Sequence, residues 1–349
     1  MPLVFRQETS RRMFHNPLND FALEEQTVER RFDPLTGHVA VFNPALEDKV
    51  RLFFGEHDWS QVERLAEASQ EACFMCPPKV KEVTPRYPED FVPSGRLTRG
   101  ECTLFPNLFP VAVRHAVIAV GEKHWRKLSE FEPELIRDGL GVGLEFLRLC
   151  AEKDALSFGA LCANYLPPAG ASLVHPHFQV VANPEAQPEE KRLLSASWRY
   201  FMEYGASYWE DLIRTEEDLG ERFIARLGRV TFLASYAPRG TNEVLAIIPV
   251  KGLGEITEED ISHLARGLSA TLKGYEEMGY GTFNFTLFLP PLREKCPWFA
   301  PLLRIITRQN FYDAYRTDDY FLQRQLGAEL ILTPPERLSQ ILQTKFQEV

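Results

Sequence analysis

The chain has 349 residues, 44% of them hydrophobic and 25% charged, enough for a large buried core and about two domains. Its 39 basic and 49 acidic residues leave a net charge of −10, which excludes a surface given over to nucleic acid, since that needs a basic footprint. A small anionic substrate is compatible with that balance, because a local cluster of donors suffices.

No apolar run reaches the ~20 residues of a membrane span, and MPLVFRQETSRRMFHNP at the start lacks the apolar stretch of a secretory signal. The expectation is a cytoplasmic protein without a membrane partner. DPLTG (Asp33 to Gly37) reads as a turn between apolar pieces, and PPKVKEVTPRYPEDFVPSG (Pro77 to Gly95) as a proline-rich surface loop. Residues 1–95 thus form an N-terminal segment. Within it, CFMC sets Cys73 and Cys76 two residues apart. That spacing fits two thiolates on one ion, a redox pair, or inert thiols. The other cysteines (Cys102, Cys150, Cys162, Cys296) are scattered, and in a reducing compartment they read as thiols rather than disulfides.

Residues 96–195 and 196–349 repeat one pattern. HAVIAV (His115 to Val120) has strand length; a helix follows from about Glu130 to Glu152, then a strand, FGALCANYLPP, ending at Pro168. In the second stretch EVLAIIP (Glu243 to Pro249) leads to a helix that opens at Thr257 with Asp260 three positions on, and TFNFTLFLPP ends at Pro291. HPHF (His175 to Phe178) follows the first LPP and CPWF (Cys296 to Phe299) the second. The fold class expected is α+β: a duplicated unit, an antiparallel sheet with helices packed on it. Only the first copy has the His-Pro-His histidines, so it is expected to be the catalytic unit and the second degenerate.

Side chains alternate along a strand, which puts His175, His177 and Gln179 on one face of HPHFQVV and Pro176, Phe178 and Val180 on the other. A neutral imidazole is a good nucleophile near pH 7 without a separate base. Gln179, Ser172 and loop amides near Gly170 and Ala171 are candidate donors to a phosphoryl oxygen as charge builds.

The stretch from Asn164 to Asn183 resembles the active-site region of the galactose-1-phosphate uridylyltransferases, members of the histidine triad superfamily. In that family an asparagine, a small-residue loop with a serine, and His-Pro-His-x-Gln occur in this order. The resemblance implies a covalent nucleotidyl intermediate on His177, phosphate contacts from Gln179 and Ser172, and a nucleotide site lined by Asn164, Gly170 and Ala171. LFPNLFPV (Leu104 to Val111) resembles the nucleotide-contacting segment and makes Asn107 a candidate contact. APLLR (Ala300 to Arg304) and NFYDAYRTD (Asn310 to Asp318) resemble parts of the C-terminal half, with Arg304, Phe311, Tyr315 and Arg316 facing sugar or phosphate. By the same resemblance His124 and His175 join Cys73 and Cys76 in one structural zinc site per chain. His115 is the competing ligand, more simply explained as a polar strand end. A homodimer is also implied.

The family pattern breaks in three places. CPWFAPLLR has no histidine where a second metal would sit, so none is expected. DPLTG and the strand after it resemble the family's N-terminal motif, but the arginine pair that follows there is replaced by NPALEDKVR. Arg316 stands where an acidic sugar ligand is expected, and a guanidinium only donates, which points to a more anionic acceptor than galactose 1-phosphate. The function expected is transfer of a nucleoside monophosphate from a nucleotide sugar, through His177, to a sugar 1-phosphate. The alternatives are a phosphorylase acting on a nucleotide sugar or dinucleotide with inorganic phosphate, and a nucleotide-binding protein that has lost turnover.

Overall fold

Short apolar-rich segments make strands wherever at least one face can be buried. The computed structural model describes residues 3–348; the first two residues of the N-terminal stretch and Val349 lie outside the described residues. Strands β1 (Arg6–Asn16), β2 (Ala22–Phe32) and β3 (Val39–Phe42) begin the chain. The two long ones form a hairpin paired from Arg6↔Phe32 to Asn16↔Ala22, and β3 meets β2 only over Glu29 to Phe32. The hairpin therefore runs on past β3, with β1 as a free outer strand and Met13, Leu18 and Phe21 exposed.

The next ten strands are β4 (Leu97–Arg99), β5 (Cys102–Pro106), β6 (Arg114–Ala119), β7 (Phe158–Tyr165), β8 (His177–Asn183), β9 (Phe223–Leu227), β10 (Val230–Ala234), β11 (Val244–Ile247), β12 (Phe283–Phe288) and β13 (Leu302–Thr307). They form one antiparallel sheet in the order β4-β5-β6-β8-β7-β12-β13-β11-β10-β9. That order is a mirror about the β7–β12 pair, the strand–helix–strand pattern of the sequence repeated around a seam. β14 (Ala328–Ile331) returns to pair with β3 in parallel, closing a smaller sheet.

The longer helices are α1 (Trp59–Gln70), α2 (Pro133–Lys153), α3 (Pro188–Tyr204), α4 (Tyr208–Leu219), α5 (Glu258–Glu277) and α6 (Pro335–Phe346). Thr257 and Asp260 form the expected capping box of α5: the Thr257 N–H donates to Asp260 at 2.7 Å and the Asp260 N–H to the Thr257 hydroxyl at 3.2 Å. The long helix of the first unit begins later than its apolar pattern suggested. Leu128–Glu130 is a single 3₁₀ turn, and Pro133 opens α2 because a missing N–H costs nothing in the first turn.

Helices α2 and α5 pack on each other and on one face of the sheet, where Ile118, Leu140, Phe178, Leu268 and Phe285 share one core. Glycine permits the close approach: a Cβ on Gly139 would lie 2.8 Å from the Phe178 ring, and one on Gly267 2.0 Å from the Phe232 ring. Phe178 is thereby clamped directly behind the strand that carries His177. CPWF, the counterpart of HPHF in sequence, lies in the turn ahead of β13 rather than leading directly into a strand. No helix among the described residues is long and apolar enough to cross a membrane.

Candidate active site

The loop between β7 and β8 turns sharply at Leu166, a buried residue at φ +66°, and Gly170 at φ +88°. A β-carbon is uncomfortable in that region of backbone space, and such positions concentrate at functional sites. The Gly170 and Ala171 N–H groups close this turn onto the carbonyls of Pro167 and Leu166, at 2.9 and 3.2 Å. They are therefore occupied, and the side chain this loop offers to an anion is Ser172.

His175 comes before the ladder of β8 begins, so strand alternation does not govern it. It is fully buried and turns away from His177 into a cluster with Cys73, Cys76 and His124, whose ligand atoms all lie within 4.8 Å of one another. The hydrogen bonds around these rings fix their protonation. His175 Nε2 donates to the Gly121 carbonyl at 3.0 Å, and its Nδ1 faces Cys76 Sγ at 3.5 Å. His124 Nε2 meets Ser69 Oγ at 3.1 Å, a hydroxyl whose hydrogen is given to the Leu65 carbonyl at 2.7 Å, and His124 Nδ1 faces Cys76 Sγ at 3.3 Å. Both imidazoles thus turn a free Nδ1 lone pair toward two sulfurs, with the far nitrogen anchored. That is the donor set and outer-shell pattern of a tetrahedral metal site. Burial pushes the His175 imidazole down to about 4, which keeps it in the neutral form a ligand needs.

β8 then enters the sheet. His177 and Gln179 project to the face away from the helices, and Phe178 packs into the core. His177 Nδ1 donates to the His175 carbonyl at 2.9 Å, so its Nε2 carries the lone pair. The ring lines a cavity of about 450 Å³ with Ser172, Gln179 and Asn107. Phe74, Phe105, Leu108, Phe109 and Leu173 supply much of the apolar wall, and among the described residues no lysine or arginine lines it.

Gln179 is held by His115, which is more than a polar strand end. The Val111 N–H donates to His115 Nδ1 at 3.2 Å, so the ring's hydrogen is on Nε2 and goes to Gln179 Oε1 at 2.9 Å. With its oxygen engaged, Gln179 presents its NH₂ elsewhere. Asn107 lies beside the same ring nitrogen at 3.2 Å. The sequence carries no sign of this partnership, because it depends on β6 pairing with β8 (Val117↔Gln179).

Asn164 stands one step beyond the last paired residues, Ala163↔Phe178, and so opposite His177 on the same face. Four residues that the resemblance assigned to sugar or phosphate do not line this cavity. Arg304 is tied to Glu189 and Glu243, at 3.4 and 3.3 Å, in a separate pocket beside Asp33. Phe311 and Tyr315 pack on each other with ring centroids 5.7 Å apart, and Arg316 is exposed over the rings of Phe53 and Tyr320.

Comparison with known proteins places this architecture. No family model matches the chain. It is 25% identical over 329 residues to an uncharacterised protein of Archaeoglobus fulgidus, covering 94% of this chain and 95% of that one. A uridylyltransferase variant superposes with a TM-score of 0.67 at 18% identity, covering 91% of this chain and 98% of that one. The fold is that of the galactose-1-phosphate uridylyltransferases. Within that fold, an ADP-glucose phosphorylase of Arabidopsis thaliana is 25% identical over 209 residues, 53% of this chain and 56% of that protein. A crystal structure of an ADP-glucose phosphorylase from the same plant, with ADP-glucose bound, has a TM-score of 0.68 at 19% identity, covering 90% of this chain and 98% of that one.

Proposed function

We propose that the chain is a nucleotidyltransferase that carries a nucleoside monophosphate on His177, taken from a nucleotide sugar. The observation that carries this reading is the state of His177: Nδ1 is committed to the His175 carbonyl, which leaves Nε2 as a lone pair at the wall of a cavity that also offers Ser172 and the Gln179 amide. Nε2 attacks the α-phosphorus. The N–P bond forms as the bond from α-phosphorus to the bridging oxygen breaks, and the sugar 1-phosphate leaves with that oxygen. An oxygen of a second phosphate-bearing molecule then takes the nucleotide and frees the imidazole, giving ping-pong kinetics. Gln179 and Ser172 donate to the phosphoryl oxygens where charge accumulates. The aromatic and aliphatic wall, free of cations, suits a base and ribose.

In this reading Cys73, Cys76, His124 and His175 hold one structural zinc. A metal there ties the Cys73 loop to the residue whose carbonyl orients His177. The acceptor is a sugar 1-phosphate. The sequence relationship to an ADP-glucose phosphorylase favours a second reading, in which inorganic phosphate is the acceptor and a nucleoside diphosphate the product.

The test is to incubate the purified protein with ADP-glucose or UDP-glucose without acceptor and map the adduct by peptide mass. AMP or UMP is expected on the peptide containing His177. Adding phosphate should discharge it as ADP or UDP if the chain is a phosphorylase; adding a hexose 1-phosphate should discharge it as a nucleotide sugar if it is a transferase. No adduct with either donor would sink the covalent mechanism.

A further inference from the structure

The nucleophile's loop is gripped from the other half of the molecule. Asn284 on β12 pairs in register with Asn164 on β7 across the seam of the sheet. Its amide oxygen accepts from the Arg308 guanidinium, and Arg308 is in turn held by both oxygens of Asp318, each at 2.7 Å. A guanidinium has only donors, so this contact decides which end of the Asn284 amide is oxygen. The Asn284 NH₂ then has two near acceptors, Asn164 Oδ1 at 2.7 Å and the Ala169 carbonyl at 2.9 Å. One of these lies in the tight turn ahead of Ser172. The other fixes the Asn164 amide with its oxygen toward Asn284 and its own NH₂ free.

We propose that Asn284, oriented by Arg308 and Asp318, is a positioning residue for nucleotidyl transfer: it sets the Asn164 amide so that its NH₂, opposite His177, faces the phosphate, and it holds the loop that presents Ser172. The proposal rests on the reading of His177 given above. It also links the segment after β13, where Asp318 lies, to the nucleophile of the first half.

A role in orienting the Asn164 amide predicts an inverted ranking of variants that mere packing does not. In Asn284→Asp the side chain keeps its shape and its contact with Arg308, which becomes an ion pair, but loses both donors. The Asn164 amide then turns to donate to the new carboxylate and shows its oxygen to the phosphate. In Asn284→Ala the Asn164 amide is only released. Labelling of His177 from ADP-glucose or UDP-glucose should slow on the order of 10–100-fold in Asn284→Asp, the scale of outer-shell and small positional errors. It should slow less in Asn284→Ala, although the Asp variant melts no lower than the Ala variant. A role in packing alone predicts the opposite order of rates, and that order would overturn the proposal. Hydrogen exchange of the peptide spanning residues 167–174 is measured on the same proteins. Faster exchange there in both variants is expected, and wild-type exchange in both overturns the grip on the loop whether or not any donor labels His177. Absence of labelling in the wild-type chain counts against the reaction, and the exchange result then decides the grip by itself.

Discussion

The two halves of the ten-stranded sheet turn the same face away from helices α2 and α5 and use it in opposite ways. In the first half that face carries His115, His177 and Gln179 and borders a cavity. In the second half Leu233, Leu245 and Leu302 occupy it, roofed by Tyr208, Trp209 and Leu212 of α4 together with Phe299. A roof changes what a polar residue there can be. Arg304, on this covered face, is neutralised by Glu189 and Glu243, and burial raises the Glu243 carboxyl to about 7. Gln179, on the open face, accepts from His115 and keeps its NH₂ to spare among the described residues. One scaffold makes a site where its face is left open and a buried ionic seam where helices cover it.

This contrast is broken most directly at His177, the proposed nucleophile. His177→Gly should leave the fold intact and cut transfer by up to ~10⁶-fold, the scale of loss on deleting a covalent nucleophile; a variant retaining more than about a thousandth of the rate means that the chemistry is not confined to this residue. The next largest effect belongs to the proposed metal frame, which has no counterpart among the described residues of the covered face. Cys76→Ser, or prolonged chelation, should lower stability by upwards of about 4 kcal/mol, a range in which a lost metal is one of few causes. Metal analysis of the native protein should find close to one zinc per chain, and a metal-free protein of full stability would refute the site. The smallest effect is expected under the roof. Trp209, whose indole N–H donates to Ser197 at 3.1 Å, fills the second core; Trp209→Ala should cost about 3–5 kcal/mol in denaturant unfolding and leave His177 labelling per folded molecule unchanged. A fall in labelling beyond the loss of folded protein would show that the covered half takes part in the reaction.

The sequence was most informative where the chemistry is local. Alternation put His177 and Gln179 on one face and Phe178 in the core, and Thr257 with Asp260 marked the start of α5. The resemblance grouped Cys73, Cys76, His124 and His175, and the four do meet. The sequence says less where the outcome depends on register. His175 lies ahead of the strand it was assigned to, so alternation misplaced its side chain. His115 read as a polar end because its partner Gln179 lies 64 residues downstream, on β8, after α2 and β7 intervene. The loop amides at Gly170 and Ala171 were available in principle, but the φ +66° turn at Leu166 draws them inward. Asn284 and Arg308 gave no signal, since nothing local tells that β12 lies against β7.

The hairpin that runs on past β3 leaves the whole length of β1 with one unpaired edge, a row of backbone groups able to template another strand. Arg6, Glu8, Arg11 and Arg12 are spaced along that edge strand, all but Glu8 of the same sign. A second chain approaching edge-on would bring its own matching arginines against these, at a cost that grows with each pair aligned. The exposed apolar residues nearer the tip therefore sit on an arm whose charges oppose open-ended stacking.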